Sequence, residues 1–129
     1  MKKQIEIVVA VIKENHRILA LQKGYGTFKG LWEFPGGKIE ANETKEEALI
    51  REIKEELDVE IEVGEHIGSF AYEYDAFDLK MDAYFVEDVK GILVLKEHWD
   101  LKWLDKHTLG DVNWIEGSKE LVEQLKKKL

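Results

Sequence analysis

The chain has 129 residues, of which 44% are apolar and 36% charged, and its formal net charge is −8. This length suits one domain with one core, and so acidic a surface argues against binding long nucleic acid through its phosphates. No apolar run approaches the ~20 residues that a membrane-spanning helix needs, and the absence of cysteine excludes disulfides and thiolate metal sites. We therefore expect a single domain over residues 1–129, located in the cytoplasm, with neither a membrane nor long nucleic acid as a partner.

The first part of the chain predicts two strands and a glycine-rich loop. Ile5–Lys13 and Arg17–Lys23 are rich in Val, Ile and Leu, and a short turn separates them. The first run is short and is interrupted by Glu6, which is not typical of a signal peptide, so we interpret it as a buried strand. Lys23–Gly30 contains three glycines and is predicted to be a loop, and residues 35–37, Pro-Gly-Gly, break a short apolar piece that follows it.

A helix and further strands are predicted in the rest of the chain. Thr44 is a favourable N-cap and Glu47 completes a capping box, so the helix starts here and runs to about Leu57. Its buried face recurs at helical spacing in Ala48, Leu49, Ile53 and Leu57. Strands are predicted at Val59–Val63, Ile67–Tyr74, Leu79–Glu87 and Leu101–Leu104. A final amphipathic helix carries Leu121, Val122, Leu125 and Leu129. This order predicts an α+β fold with a mixed-sheet sandwich.

The predicted central helix carries a cluster of carboxylates. Glu52 and Glu56 are four residues apart and Glu55 is three from Glu52, so the three side chains share one helical face. Carboxylates this close repel one another unless something neutralises them. Hard divalent cations such as Mg²⁺ take oxygen ligands, and these carboxylates can supply them. Taken alone, the cluster is also consistent with a solvated acidic helix face, which is the more common meaning of such a run.

Residues 37–59, GKIEANETKEEALIREIKEELDV, resemble the Nudix signature G-x5-E-x7-R-E-U-x-E-E-x-G-U, in which U is a bulky aliphatic residue. Every fixed position matches except the late glycine, which is Asp58 here. That glycine follows the helix, where a left-handed residue is common, and Asp tolerates the left-handed conformation better than most residues. The preceding segment, residues 32–40 with the sequence WEFPGGKIE, resembles the MutT branch of the same family.

The resemblance implies a fold, a metal site and a brace. The fold is a Nudix-type α/β/α sandwich with a mixed central sheet, in which the signature holds Mg²⁺, or Mn²⁺ as a substitute, against a diphosphate. By position, it implies that the metal ligands are Glu52, Glu55, Glu56, the main chain of Gly36 and, from a later loop, Glu97. Glu52 is our first choice for the catalytic base and Glu97 our second. Arg51 and Glu43 are expected to form an ion pair that braces the loop; the alternative is a surface salt bridge of little value.

Substrate contacts are less specified by the sequence. Lys38 and Lys23 are candidates for phosphate contacts, with simple solvent exposure as the alternative for both. Base stacking is open to Tyr25, Phe28, Phe34, Phe77 and Trp114, although core packing explains most of them as well. In MutT-like proteins a polar residue near the start of the last helix reads the base, and Glu116 and Ser118 fall in that region. His98 is assigned no role, because a lone loop histidine is more often exposed than catalytic.

The resemblance implies a pyrophosphohydrolase that releases a nucleoside monophosphate and pyrophosphate from a nucleoside triphosphate. The leading substrate is 8-oxo-dGTP, and a modified or plain pyrimidine triphosphate comes second. One alternative is hydrolysis of a nucleoside diphosphate derivative such as ADP-ribose or a sugar nucleotide. Another is a catalytically inactive nucleotide-binding module, although such modules typically lose the glutamates of the signature, which are present here. Both a monomer and a homodimer remain open.

Overall fold

The structure, a computed structural model, describes residues 2–129, over which the chain forms nine strands and two α-helices. The elements in chain order are β1 (Lys3–Glu14), β2 (Arg17–Lys23), β3 (Trp32–Glu33), β4 (Gly36–Lys38), α1 (Lys45–Leu57), β5 (Glu60–Glu62), β6 (His66–Glu73), β7 (Phe77–Val86), β8 (Asp88–Lys90), β9 (His98–Leu104) and α2 (Lys119–Lys128). Short 3-10 turns lie at Leu109–Asp111 and Glu116–Ser118. Neither helix within residues 2–129 has the length and apolarity needed to cross a membrane.

The main sheet is mixed, as the sequence predicted, and β1 lies at its centre. β1 pairs in parallel with β7 and antiparallel with β2 and β4. The strand order is β3–β2–β1–β7–β6, with β9 added along β2. β5 and β8 form a separate two-stranded sheet.

The two faces of β1 explain its uninterrupted apolar run. Successive side chains of a strand point to opposite faces, so an apolar run of this kind is typical of a strand that is covered on both sides. Val8 belongs to a core cluster that also contains the buried face of α1, whereas Val9 belongs to a second cluster that contains the buried face of α2. The result is the predicted sandwich, with one helix layer on each face of the sheet.

Helix α1 begins and ends where the sequence predicted. The Thr44 side chain accepts a hydrogen bond from the Glu47 N–H, and the Glu47 carboxylate accepts one from the Thr44 N–H, which completes the capping box. At the other end Asp58 is left-handed, with φ 58° and ψ 34°. The substitution of the late glycine of the signature by Asp58 therefore leaves the helix exit intact.

Asp82, on β7, ties the start of α1 to the sheet. Its side chain is 4% exposed and forms an ion pair with Lys45 at 3.0 Å, where α1 begins. From β6, His66 and Ser69 also hydrogen-bond to the Asp82 carboxylate. A buried carboxylate needs such partners, and here they join the helix to two strands.

The Pro-Gly-Gly segment at residues 35–37 breaks the apolar piece before it, as predicted, and its two glycines begin a further strand, β4, which pairs with β1. Gly36 has φ 154° and lies opposite Val9. A Cβ on Gly36 would lie 2.1 Å from the Val8 carbonyl oxygen, so only glycine lets this backbone approach β1 so closely. The segment that resembles the signature, which begins at Gly37, therefore starts on a strand that pairs with the central strand β1.

Candidate active site

Arg51, on α1, holds the loop that precedes the helix. Its Nε and Nη2 donate to the two carboxylate oxygens of Glu43 at 2.6 and 2.9 Å, and Nη2 also donates to the Lys38 carbonyl oxygen at 3.0 Å. Two parallel bonds of this kind fix orientation as well as distance. The Arg51 bond is the main reason that the pKa of Glu43 lies below its usual value. The predicted ion pair is therefore present and connects both ends of the loop.

Glu52 lies between Arg51 and the backbone of β4. Its Oε1 accepts a hydrogen bond from Arg51 Nη1 at 2.9 Å. On the other side, a Cβ on Gly37 would lie 2.3 Å from Glu52 Oε2, so the glycine makes room for this carboxylate. Burial raises the pKa of Glu52, and this effect outweighs the opposing effect of Arg51. The first glycine of the signature and Glu52 are thus in direct contact.

Glu56 is the most perturbed carboxylate of the site. Its Oε1 accepts a hydrogen bond from the Gly36 N–H at 3.3 Å. Burial raises the pKa of Glu56 to about 8, and the neighbouring Glu33 and Glu52 carboxylates add to this effect. Charge on this group is unfavourable in isolation, so the surroundings favour either a proton or a cation at Glu56.

A small cavity of about 30 Å³ adjoins Glu56. Glu97, just before β9, reaches it from a distant part of the chain, and Tyr25 donates a hydrogen bond to Glu97 Oε2 at 3.0 Å. The fold therefore brings the predicted later glutamate to the same cavity as Glu56. The cavity is lined by Lys23, Gly24, Tyr25, Glu33, Glu56, Glu97 and His98.

Glu33 and His98 are members of this site that the sequence interpretation missed. His98 Nε2 and Glu33 Oε2 are hydrogen-bonded at 2.9 Å, and Lys23 Nζ lies 3.5 Å from the same oxygen. The His98 side chain is 6% exposed, and the residue is the first of β9. The expectation of an exposed loop histidine is therefore wrong. The available signal was the alternation of Glu33 with its apolar neighbours Trp32 and Phe34, which directs Glu33 away from the core.

Two predicted substrate contacts are buried. Phe34 is 2% exposed, and its ring stacks on Trp114 with centroids 4.6 Å apart, because both belong to the core on the α2 side. Ser118 is 4% exposed at the start of α2. Neither side chain presents a surface to a ligand, which contradicts the prediction that they bind substrate.

The remaining predicted residues are closer to solvent. Lys38 is exposed and Lys23 is partly exposed, with Lys23 held by Glu33. The Glu55 side chain is 60% exposed and lies 3.3 Å from Arg51. Tyr25 is 56% exposed beside the cavity. Glu116, exposed, pairs with Lys119.

The donor set fits a hard divalent cation by its chemistry. Glu52 and Glu56 offer oxygen ligands, and Glu33 adds negative charge beside Glu56. Within residues 2–129 no three carboxylate or imidazole groups converge on a single point as the side chains stand. Arg51 Nη1 instead contacts both Glu52 and Glu55, at 2.9 and 3.3 Å. A cation would compete with Arg51 for these oxygens.

Comparison with known proteins agrees with this geometry. The NUDIX domain family model matches residues 2–125. A CTP pyrophosphohydrolase of Escherichia coli K12 is 40% identical over 102 residues, covering 78% of this chain and 76% of that protein. An 8-oxo-dGTP diphosphatase of Proteus vulgaris is 33% identical and covers 74% and 88%. The solution structure of the E. coli ORF135 protein superposes with a TM-score of 0.85 at 34% identity, covering 95% of this chain and 88% of that one.

These findings define the class of the protein: the chain belongs to the Nudix domain family. It is a MutT-like Nudix hydrolase with the α+β fold of that group. Nudix hydrolases act on small nucleotide substrates and generally use divalent metals.

Proposed function

We propose that the chain hydrolyses nucleoside triphosphates to nucleoside monophosphate and pyrophosphate, with Mg²⁺ as its cofactor and Mn²⁺ as a substitute. The observation that carries the proposal is the placement of Glu56, partly buried and next to Glu33 and Glu52. A cation relieves this repulsion, and its remaining charge suits the diphosphate of a nucleotide. The names of the E. coli and P. vulgaris relatives support the same reaction.

In this proposal the carboxylates hold the cation and handle the proton. Glu52, Glu55, Glu56 and Glu97 would hold the cation, together with the carbonyl oxygen of Gly36. A bound cation would neutralise phosphate charge and polarise the attacking water.

Glu52 accepts the proton from that water, and Glu97 is the second choice for this base. Tyr25 orients Glu97 through its hydrogen bond. The pairing of Arg51 with Glu43 keeps the loop fixed. Lys23 and Lys38 contact phosphate oxygens.

The substrate is the least constrained part of the proposal. We retain 8-oxo-dGTP as the first candidate, which the P. vulgaris relative supports by its name. CTP, as a plain pyrimidine triphosphate, is the second candidate and is favoured by the 40% identity to the E. coli enzyme of that name. Hydrolysis of either candidate would use the same metal site and cleave the same bond. The two substrates differ in the base that the protein has to accommodate.

A product assay tests the proposal. The protein is incubated with Mg²⁺ and equal concentrations of 8-oxo-dGTP, dGTP, CTP, ADP-ribose and a sugar nucleotide, and kcat/KM is compared. We expect monophosphate and pyrophosphate from the triphosphates. Release of orthophosphate and a diphosphate, or a clear preference for ADP-ribose or the sugar nucleotide, contradicts the proposal.

The same assay separates an enzyme from an inactive binding module. Glu56→Gln keeps the side-chain volume but removes the charge, and we expect turnover to fall by orders of magnitude. Glu120→Gln makes the same change on the exposed side of α2 and is the matched control. Equal turnover of the Glu56 variant and the parent contradicts the ligand set.

We further propose a single domain over residues 1–129 that works in the cytoplasm and binds neither membranes nor long nucleic acid. The net charge of −8 supports the last point, because phosphate contacts need basic surface. Sedimentation at several concentrations distinguishes a monomer from a homodimer. A salt-sensitive shift on mixing with duplex DNA contradicts the proposed absence of nucleic acid binding.

A further inference from the structure

Glu33 enters the active-site cavity from outside the Nudix signature. It lies on β3, which pairs with β2 so that Glu33 faces Leu21. On the other side of β2, β9 pairs so that His98 faces Lys23. Three neighbouring strands thus place Glu33, Lys23 and His98 together, and this arrangement depends on the sheet rather than on the local sequence.

His98 is largely buried where it meets Glu33. Its side chain is 6% exposed, and Nδ1 is buried without a hydrogen-bond partner among residues 2–129. The ring therefore relies on the bond between Nε2 and Glu33 Oε2 at 2.9 Å. The backbone around it is tightly packed, because a Cβ on Gly24 would lie 2.6 Å from the Glu97 carbonyl oxygen.

Within the described part of the chain, the Glu33 carboxylate is fixed through one oxygen, Oε2. Lys23 Nζ and His98 Nε2 both contact Oε2, at 3.5 and 2.9 Å. A carboxylate has about four lone-pair positions, so Glu33 keeps acceptor capacity for a further partner. Its charge acts directly on Glu56, which lines the same cavity. Two carboxylates that share a small cavity repel each other and gain from a shared cation.

We propose that His98 is a positioning residue that holds Glu33 beside Glu56, so that Glu33 joins the carboxylates binding the divalent cation. The inference rests on the proposed function only for the presence of a cation site. It adds a ligand from β3, and a support from β9, to the set formed by the three glutamates of α1, Gly36 and Glu97.

Cation binding without substrate tests the inference. Mn²⁺ affinity is measured by titration calorimetry and by the electron paramagnetic resonance signal of free Mn²⁺. Glu33→Gln keeps the shape of the side chain, and we expect the affinity to fall at least about tenfold, the lower bound typical of lost support around a metal site. Glu120→Gln, an exposed change of equal charge, is the control and should bind as the parent does. An unchanged affinity in Glu33→Gln overturns the inference.

The role of His98 is tested by two replacements. His98→Gln places an amide donor near the position of Nε2 and should retain most of the Mn²⁺ affinity, whereas His98→Leu removes the donor and should lower the affinity as Glu33→Gln does. In the Glu33→Gln background, His98→Leu should cost little more, because the two changes act through one contact. Additive losses overturn the positioning role.

Folding and hydrolysis are measured separately from the Mn²⁺ affinity. Thermal melts establish which variants are folded; if His98→Leu is not, a loss in His98→Gln as large as that in Glu33→Gln overturns the positioning role. Hydrolysis is then measured separately. A parent protein that binds Mn²⁺ through Glu33 but cleaves no triphosphate refutes the proposed function and leaves this inference standing.

Discussion

Two adjacent glycines, Gly36 and Gly37, should respond very differently to alanine. Gly36 has φ 154°, and its added Cβ would lie 2.1 Å from the Val8 carbonyl oxygen and 2.8 Å from Val9 Cα. These are backbone atoms of the central strand, which cannot yield without disturbing the pairing of β4 with β1. The Cβ of Gly37→Ala would instead meet Glu52 Oε2 at 2.3 Å, the end of a flexible side chain.

The magnitudes follow from these contacts. A strained backbone position costs about 1–3 kcal/mol, and with the overlap at Val8 we expect Gly36→Ala to lose about 3 kcal/mol of unfolding free energy. At ~2.1 cal/mol/K of unfolding entropy per residue, each kcal/mol shifts the melting temperature of a chain this long by slightly less than about 4 °C, so the expected drop is about 11 °C. Gly37→Ala should stay within about 1 kcal/mol of the parent, because reduced unfolded-state entropy offsets part of its cost.

Gly37→Ala should instead have a small effect on stability and a large effect on activity. Moving the Glu52 carboxylate by about 1 Å is expected to lower turnover by about 10²-fold. Calorimetry and a pyrophosphate-release assay measure the two effects. Gly110→Ala is the control, since an added Cβ there meets no atom of residues 2–129 within 4 Å. Equal melting temperatures for Gly36→Ala and the parent, or equal turnover for Gly37→Ala and the parent, would refute the reasoning.

Three further predictions concern the brace, a buried carboxylate and the cation. Arg51→Ala and Glu43→Gln should each lower turnover, and a double-mutant cycle should show that the combined loss is smaller than the sum; strict additivity shows that the residues are not coupled. The pKa of Asp82 is lowered, because its hydrogen bonds and ion pair outweigh burial. Asp82 therefore contributes to the free energy of unfolding at pH values above its unfolded-state pKa of about 3.9. This contribution is lost as the pH falls through the lower pKa of the folded state. Urea unfolding of Asp82→Asn should therefore show lower stability at pH 7 and a shallower decline below pH ~4, and an unchanged decline contradicts this. Mg²⁺ at a hundredfold excess over its dissociation constant should stabilise the folded state by about 2.7 kcal/mol, and melts that are identical with Mg²⁺ and with chelator would argue against the cation site.

The sequence predicted those parts of the fold that short-range chemistry decides. The capping box at Thr44 and the left-handed residue at Asp58 follow from side chains within a few residues of each helix end. β4 and β8 were not predicted, because the segments Gly36–Lys38 and Asp88–Lys90 have little intrinsic strand preference. Their pairing depends on partners elsewhere in the chain, which local composition does not contain.

One error at the site comes from the alternation of side chains along a strand. The sequence interpretation counted Phe34 among the aromatic residues that can stack on a base, with core packing as the alternative. The structure buries Phe34 and presents Glu33 to the cavity. A shift of one residue exchanges the two faces of a strand, so the choice between them depends on how β3 pairs with β2, which the motif does not specify.

The carboxylates around the cavity are therefore held by contacts of two kinds, which differ in range along the chain. Arg51 braces the loop and Glu52 from within the signature, and a motif comparison finds it. His98 holds Glu33 across three strands, and only the folded sheet brings these residues together. Lys54, at a free position inside the signature, is exposed and pairs only with the exposed Asp58 among the described ion pairs, whereas His98, well outside the signature, lines the cavity beside Glu56.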